Sequence, residues 1–495
     1  MTHPLGPPPV SPLRLLPLVT ALLAPSICLL SAPARGESLS TVATLGVETI
    51  RLPERERMGL VGSSLLFDLG ADWWLGPAVY GAASGERGGF FVGGIELQRR
   101  WSLRPGLTLA TGLYAGGGGG AAAPVGGGLM LRPALTLLKD IGPNVQLGVS
   151  WSGVRFPNGQ ISSSQLGVTM AWRSAFLHGS DIDHTASKPA GLGFDRMVAT
   201  LASYRFDDGS GRSIGLVGAR AEQRGRADGL AWGLEGAAAA QGDAAGYMEL
   251  LATAAYSIEP APSALPGWRV GVRAGVGAGG GGAVPTGGGL MTKLTGTMEW
   301  RVAPGWTLGG EYGDVRATNG PLRARQAQVW LGMSLEPALD GRGRADPAGV
   351  RTEWVGAWQH HTERARIDGS ARSLDTIGLK LNRYLGENLY VSGQAHSAFS
   401  GGAGAYSIGL IGLGAAMQPV ATWRVGVELL AGASGGGGVQ SGGGALLQGM
   451  SWAGWNTAAH GEWRAGLGMV RSLRGGTHSP VIELGWSRAF EMPAR

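Results

Sequence analysis

Four patterns in this 495-residue chain contain residue types that could do chemistry. His396-Ser397, with acids such as Glu428 in the same third of the chain, supplies a base, a hydroxyl and a carboxylate. Those are the parts of a lipid-modifying hydrolase, whose nucleophile must lie within hydrogen-bond reach of its base. Nothing in the sequence fixes that spacing. Gly275-Val276-Gly277-Ala278-Gly279-Gly280 satisfies G-x-G-x-x-G, the spacing of a dinucleotide-binding loop. More glycines follow instead of a helix, so no helix N-terminus is available to hold a pyrophosphate, and no G-K-[ST] occurs. Arg155, Arg316 and Arg471 each follow a valine and precede a glycine by four residues. A guanidinium fork suits phosphate or carboxylate, so these three are candidate ligands for an anionic lipid or acidic polymer. The competing reading, which we favour, is a strand-end arginine bonded to turn carbonyls. His360-His361 could attract a metal, but neighbours in a strand face opposite sides and cannot readily share one ion. No catalytic residue, metal site or cofactor is assigned.

The arginines belong to a larger repeat. Gly116–Gly120, Pro124 and Gly126-Gly127-Gly128-Leu129-Met130 return as Gly279–Gly282, Pro285 and Gly287-Gly288-Gly289-Leu290-Met291. A third copy, Gly435–Gly438 with Gly442-Gly443-Gly444, lacks the proline. Offsets of 161 and then 155 residues carry Arg155 onto Arg316 and Arg471, and Gly159 onto Gly320 and Gly475. Self-similarity at such a period marks three units, each the size of a small domain.

Residues 1–34 read as an export signal: Arg14 is the one charged residue, 15–30 are apolar, and Ala32-Pro33-Ala34 closes the segment. The single cysteine, Cys28, lies within it, so thiol and disulfide chemistry are excluded from the remainder. No later run of about 18 apolar residues is long enough for a spanning helix. Basic residues slightly outnumber acidic ones, 41 to 35, without forming a block, so nucleic acid is not a predicted partner. Ninety glycines sit inside alternating apolar segments, which argues against disorder.

The alternation has period two. Val145, Leu147, Val149 and Trp151 oppose Gln146, Gly148, Ser150 and Ser152; Trp423, Val425, Val427 and Leu429 oppose Arg424, Gly426 and Glu428. This predicts strands with one apolar and one polar face. In the first unit about eight such segments fall near 40–51, 57–69, 73–83, 88–101, 106–116, 126–138, 143–155 and 161–173. They are longer than the roughly five or six residues usual in soluble sheets and suit a tilted bilayer crossing. Units at 35–176, 194–335 and 350–495 are joined by polar linkers at 177–193 and 336–349.

Eight long alternating strands per unit, aromatic residues at strand ends and an export signal resemble Gram-negative outer-membrane β-barrel proteins. The strand ends WRSAF (Trp172–Phe176) and WSRAF (Trp486–Phe490) match that pattern, although Glu491–Arg495 follow the second. The resemblance implies an all-β fold, most simply three closed up-and-down barrels in tandem in the outer membrane. It also implies membrane lipids and the barrel-assembly machinery as partners, and a structural or binding role; envelope polysaccharide is a further candidate. The alternatives are one 24-stranded porin or export channel, and a soluble periplasmic or surface repeat protein that binds polysaccharide or self-associates. Connections after the fifth and seventh strands, which hold the glycine runs and the Val-Arg turns, are predicted to share the external rim.

Overall fold

The computed structural model describes residues 37–178, 194–334 and 350–492, except 195, 226, 262, 264, 458–460 and 475–477. The predicted signal segment and most of both predicted linkers lie outside these residues, as does Gly475. The first unit contains β1 (Glu37–Arg51), β2 (Arg57–Gly70), β3 (Trp73–Ser84), β4 (Phe91–Arg104), β5 (Leu107–Gly119), β6 (Met130–Asp140), β7 (Val145–Arg155) and β8 (Ser162–His178). The second contains β9 (Arg196–Phe206), β10 (Ser213–Arg224), β11 (Leu230–Gln241), β12 (Met248–Ile258), β13 (Trp268–Gly280), β14 (Leu290–Ala303), β15 (Trp306–Ala317) and β16 (Arg323–Ser334). The third contains β17 (Val350–Ala365), β18 (Ala371–Tyr384), β19 (Leu389–Ala398), β20 (Ser407–Val420), β21 (Trp423–Gly435), β22 (Ala445–Asn456), β23 (Glu462–Ser472) and β24 (His478–Met492).

Every neighbouring pair is antiparallel, and each unit closes on itself: β8 pairs with β1, β16 with β9, and β24 with β17. A single 24-stranded wall needs β8 to pair with β9. The observed architecture is therefore three eight-stranded barrels, and the 24-stranded arrangement is replaced. Closure leaves no strand edge unpaired. One 3-10 turn, Pro53–Arg55, is the sole helical element among the described residues.

The two faces of the wall are inverted relative to a water-soluble protein. On β7 the polar side chains Gln146 and Ser152 point inward and are 1% and 2% exposed, while Trp151 on the alternate face is 59% exposed. Leu166, Leu294, Leu429 and Leu467 likewise point outward and are 62–70% exposed. With strands of 11 to 17 residues in the first unit and a tilt of about 45°, the wall is tall enough for a hydrocarbon layer of about 25 Å.

Each barrel has a rim of mainly short turns and a rim of longer connections, although the short rim of the second barrel also carries the long connection 259–267. In the first unit, 71–72, 105–106 and 141–144 form the short rim, and 52–56, 85–90, 120–129 and 156–161 the long one. The glycine runs and Val-Arg turns share the long rim, as the strand count predicted. The runs begin within the strands, because β5, β13 and β21 extend to Gly119, Gly280 and Gly435.

Candidate functional site: filled lumens and a shared rim

Inside the first barrel, Arg132 on β6 donates two hydrogen bonds to Glu48 on β1, at 2.9 and 2.8 Å. Ser152 donates to the same carboxylate at 2.6 Å, and Gln165 donates to Ser152 at 2.8 Å. The Arg132 guanidinium lies over the Tyr80 ring, 5.0 Å from its centroid. In the second barrel, fully buried Arg220 meets Glu222, Glu235 and Glu311 at 2.7, 2.7 and 2.9 Å. Lys293 bridges Glu235 and Glu249 at 2.8 and 2.6 Å, and Tyr204 and Tyr247 both donate to Glu249. The third barrel carries Lys380 between Glu428 and Glu483, at 3.0 and 2.7 Å. Below it, Arg424 and Arg464 share Glu353 and Glu462.

These pairs cross the lumen. Glu48 and Arg132, Glu235 and Lys293, and Lys380 and Glu428 each lie three strands apart around their barrel. An eight-stranded interior is only wide enough for side chains, and here opposing carboxylates and cations occupy it. The inward faces are rich in charge, and the charges neutralise one another in small networks. The alternation itself was the available signal, since each of these charges falls on the polar face of its strand. The repeat offset sets Arg132 on Lys293 and on Gln448. The third copy thus replaces this lumen cation with a buried glutamine, and its lysine comes from β18 instead.

The hydrolase pattern is not assembled. His396 points into the lumen and is buried, with Nε2 3.4 Å from Gln394 Oε1. Ser397 points outward and bonds Ser407 Oγ at 3.1 Å, and Glu428 is held by Lys380 and Tyr390. His360 and His361 also face opposite sides; His360 meets Asp375 at 2.8 Å, and His361 is buried. No group of three potential metal ligands occurs among the described residues. Gly275–Gly280 lie within β13, and a strand follows them.

The rim is where the three units meet. In the first two copies the glycine loop folds onto its own Val-Arg turn: Gln160 N–H donates to Pro124 C=O at 2.8 Å, and Leu322 N–H to Pro285 C=O at 3.2 Å. The loops then reach the next barrel. Gly88 N–H of the first unit donates to Gly287 C=O of the second at 2.8 Å. A methyl carbon on Gly117 would sit 2.7 Å from Ala398 O of the third unit, and one on Gly435 2.0 Å from Gly246 N of the second. These backbones approach too closely for any side chain. The fifth strand of each unit packs on the third strand of another: β13 on β3, β5 on β19 and β21 on β11. The same heterologous contact, used three times, closes a ring, so one chain reproduces the geometry of a cyclic trimer.

Within the first rim, Arg87 donates to Glu56 at 2.8 and 2.6 Å and to Ala121 C=O at 2.9 Å, tying three connections together. These hydrogen bonds hold the Glu56 carboxyl below the usual glutamate range and raise Arg87. The candidate arginine Arg155 ends β7, and Arg316 and Arg471 are the next-to-last residues of β15 and β23; all three are exposed on the outward face, beside the buried Val154, Val315 and Val470. The structure places all three at the long rims but on different barrels, so they do not form one site.

No protein-family model matches the chain, and no curated protein matches it. Among solved structures it is similar to Pseudomonas aeruginosa OccK2 (OpdF), at 11% identity over 92% of this chain and 97% of that one, with a TM-score of 0.24. It is also similar to the outer membrane protein opdK of Pseudomonas aeruginosa, at 10% identity over 91% and 98%, TM-score 0.23. The siderophore receptor PiuA of Acinetobacter baumannii matches at 8% identity over 92% and 82%, TM-score 0.27. Likeness at these scores carries no argument, and the fold and the site rest on the geometry above.

Proposed function

We propose that the chain is an outer-membrane protein of a Gram-negative envelope, built as three filled barrels in a closed ring, with a structural or binding role at the cell envelope. The observation that supports this reading is the inverted wall. Leucine, valine and tryptophan cover the outside while paired charges fill the inside, a distribution that is favourable only where the surrounding solvent is hydrocarbon. The segment 1–34 acts as the export signal, and the barrel-assembly machinery inserts the mature chain. The long rims face outward from the cell and the short turns face the periplasm, as in barrels of this class.

Filled lumens favour anchoring and binding over transport. The experiment is to insert purified full-length protein into planar bilayers, after confirming heat-modifiable migration and resistance to carbonate extraction. The expected result is insertion without conductance. Sustained single-channel conductance would replace this reading with that of a channel, and release by carbonate would replace it with that of a soluble repeat protein.

A further inference from the structure

The outward faces of the long rims carry arginines arranged against ordinary pairing rules. Arg316 on β15 is directly opposite Arg323 on β16, and Arg325 on β16 is directly opposite Arg205 on β9. All four side chains are exposed. Like charges directly opposite in a sheet are destabilising. One carboxylate, Asp314, lies 3.1 Å from Arg325; Arg205, Arg316 and Arg323 have no carboxylate partner among the described residues.

The position of the cluster supplies the second observation. One step down the same strands come Ser203, Asp314 and Ala327, and below them the exposed Leu201, Tyr312 and Val329. The arginines therefore cap the apolar belt on its long-rim side, at the level where lipid headgroups meet the acyl chains. The first barrel has a single opposed pair, Arg51 with Arg57 on its first two strands, with Arg155 two strands from Arg51, and has Ser162 and Ser164 where the second has Arg323 and Arg325. Matching the pairing of Val47 with Val168 to that of Leu201 with Val329 sets Arg51 on Arg205. The third barrel keeps Arg471 but has Thr362 and His478 where the second has Arg205 and Arg323.

We propose that Arg205, Arg316, Arg323 and Arg325 form a binding site for the phosphate groups of an outer-leaflet lipid, which neutralise the opposed guanidinium pairs. Arginine suits this because its fork donates two parallel hydrogen bonds to a phosphate. The site rests on the membrane reading given above. The first barrel carries a weaker version of it, and the third the weakest.

The test uses the full chain in detergent, with native mass spectrometry reading the retention of bisphosphorylated lipid A and of the same lipid stripped of its phosphates. The wild type is expected to prefer the phosphorylated form by about one hundred-fold, the effect of roughly three net cations at a membrane surface. The R205Q/R316Q/R323Q/R325Q variant is expected to lose that preference while keeping heat-modifiable migration, which shows the barrel is intact. Equal retention of both lipids by the wild type would overturn the site, as would an unchanged preference in the variant. Displacement of the lipid by inorganic phosphate at equal concentration would overturn the lipid assignment. Carbonate extraction separates the two levels: a protein that stays in the membrane yet ignores phosphate sinks this site alone, whereas one that washes out sinks the membrane reading.

Discussion

Gly88 donates its backbone N–H to the carbonyl of Gly287, 2.8 Å away and in a different barrel. A methyl group on Gly88 would lie 2.5 Å from that same carbonyl oxygen. The bond ties a third-to-fourth strand connection of one unit to the glycine run of the next, and it depends on two residues without side chains.

That seam can be probed covalently. A methyl carbon on Gly93 would lie 3.9 Å from Ser397 Oγ of the third barrel, and the sole cysteine falls in the predicted signal segment. A G93C/S397C variant is expected to form a disulfide on mild oxidation, read as a mobility shift in non-reducing gels. Adding G117V, which crowds Ala398 O, should reduce its yield severalfold. Undiminished cross-linking in the triple variant would show that Gly117 does not govern the approach.

The Glu48–Arg132 fork predicts an asymmetric mutational response. Glu48→Gln leaves a buried guanidinium without its counter-charge and should cost about 3–5 kcal/mol. The double change E48L/R132M removes both charges and should recover most of that loss. Urea unfolding in lipid vesicles measures both, and a single variant as stable as wild type would show that the lumen is wet enough to screen the charge.

At the first rim, pH should act through Glu56. Its folded carboxyl is held low by Arg87, so its contribution to stability is complete above the ordinary glutamate value near 4.3. It is lost as the pH falls through the lower folded value. A nitroxide in place of the exposed Glu86, in the 85–90 connection, should therefore gain mobility in acid, and Arg87→Gln should give the mobile spectrum already at neutral pH. A wild-type spectrum unchanged by acid would exclude this latch.

The outward tryptophans supply a test of the wall. Trp151, Trp232, Trp423 and Trp455 are exposed on the belt face, so brominated acyl chains should quench a large share of the fluorescence in vesicles and aqueous acrylamide little of it. The reverse pattern would place these faces in water.

Much of this organisation was legible in the chain. Val145 to Trp151, alternating with Gln146 to Ser152, defined β7 because a strand places successive side chains on opposite faces. The return of Arg155 as Arg316 and Arg471 defined three units, because a repeated fold needs the same pattern at the same spacing. Eight strands per unit and the shared rim of glycine loops and Val-Arg turns followed from counting.

Tertiary structure decided what depends on distances between strands. Whether β8 returns to β1 or continues to β9 turns on hydrogen bonds between residues as far apart as Glu37 and His178, and both choices bury the same alternation. The lumen charges were each visible on a polar face, yet Glu48 finds Arg132 only once six strands have curled into a wall. His396 and Ser397 looked like partners in one dimension and were separated by the thickness of the sheet. The opposed arginines Arg205 and Arg325 lie 120 positions apart, and only the closing register of the barrel sets them side by side.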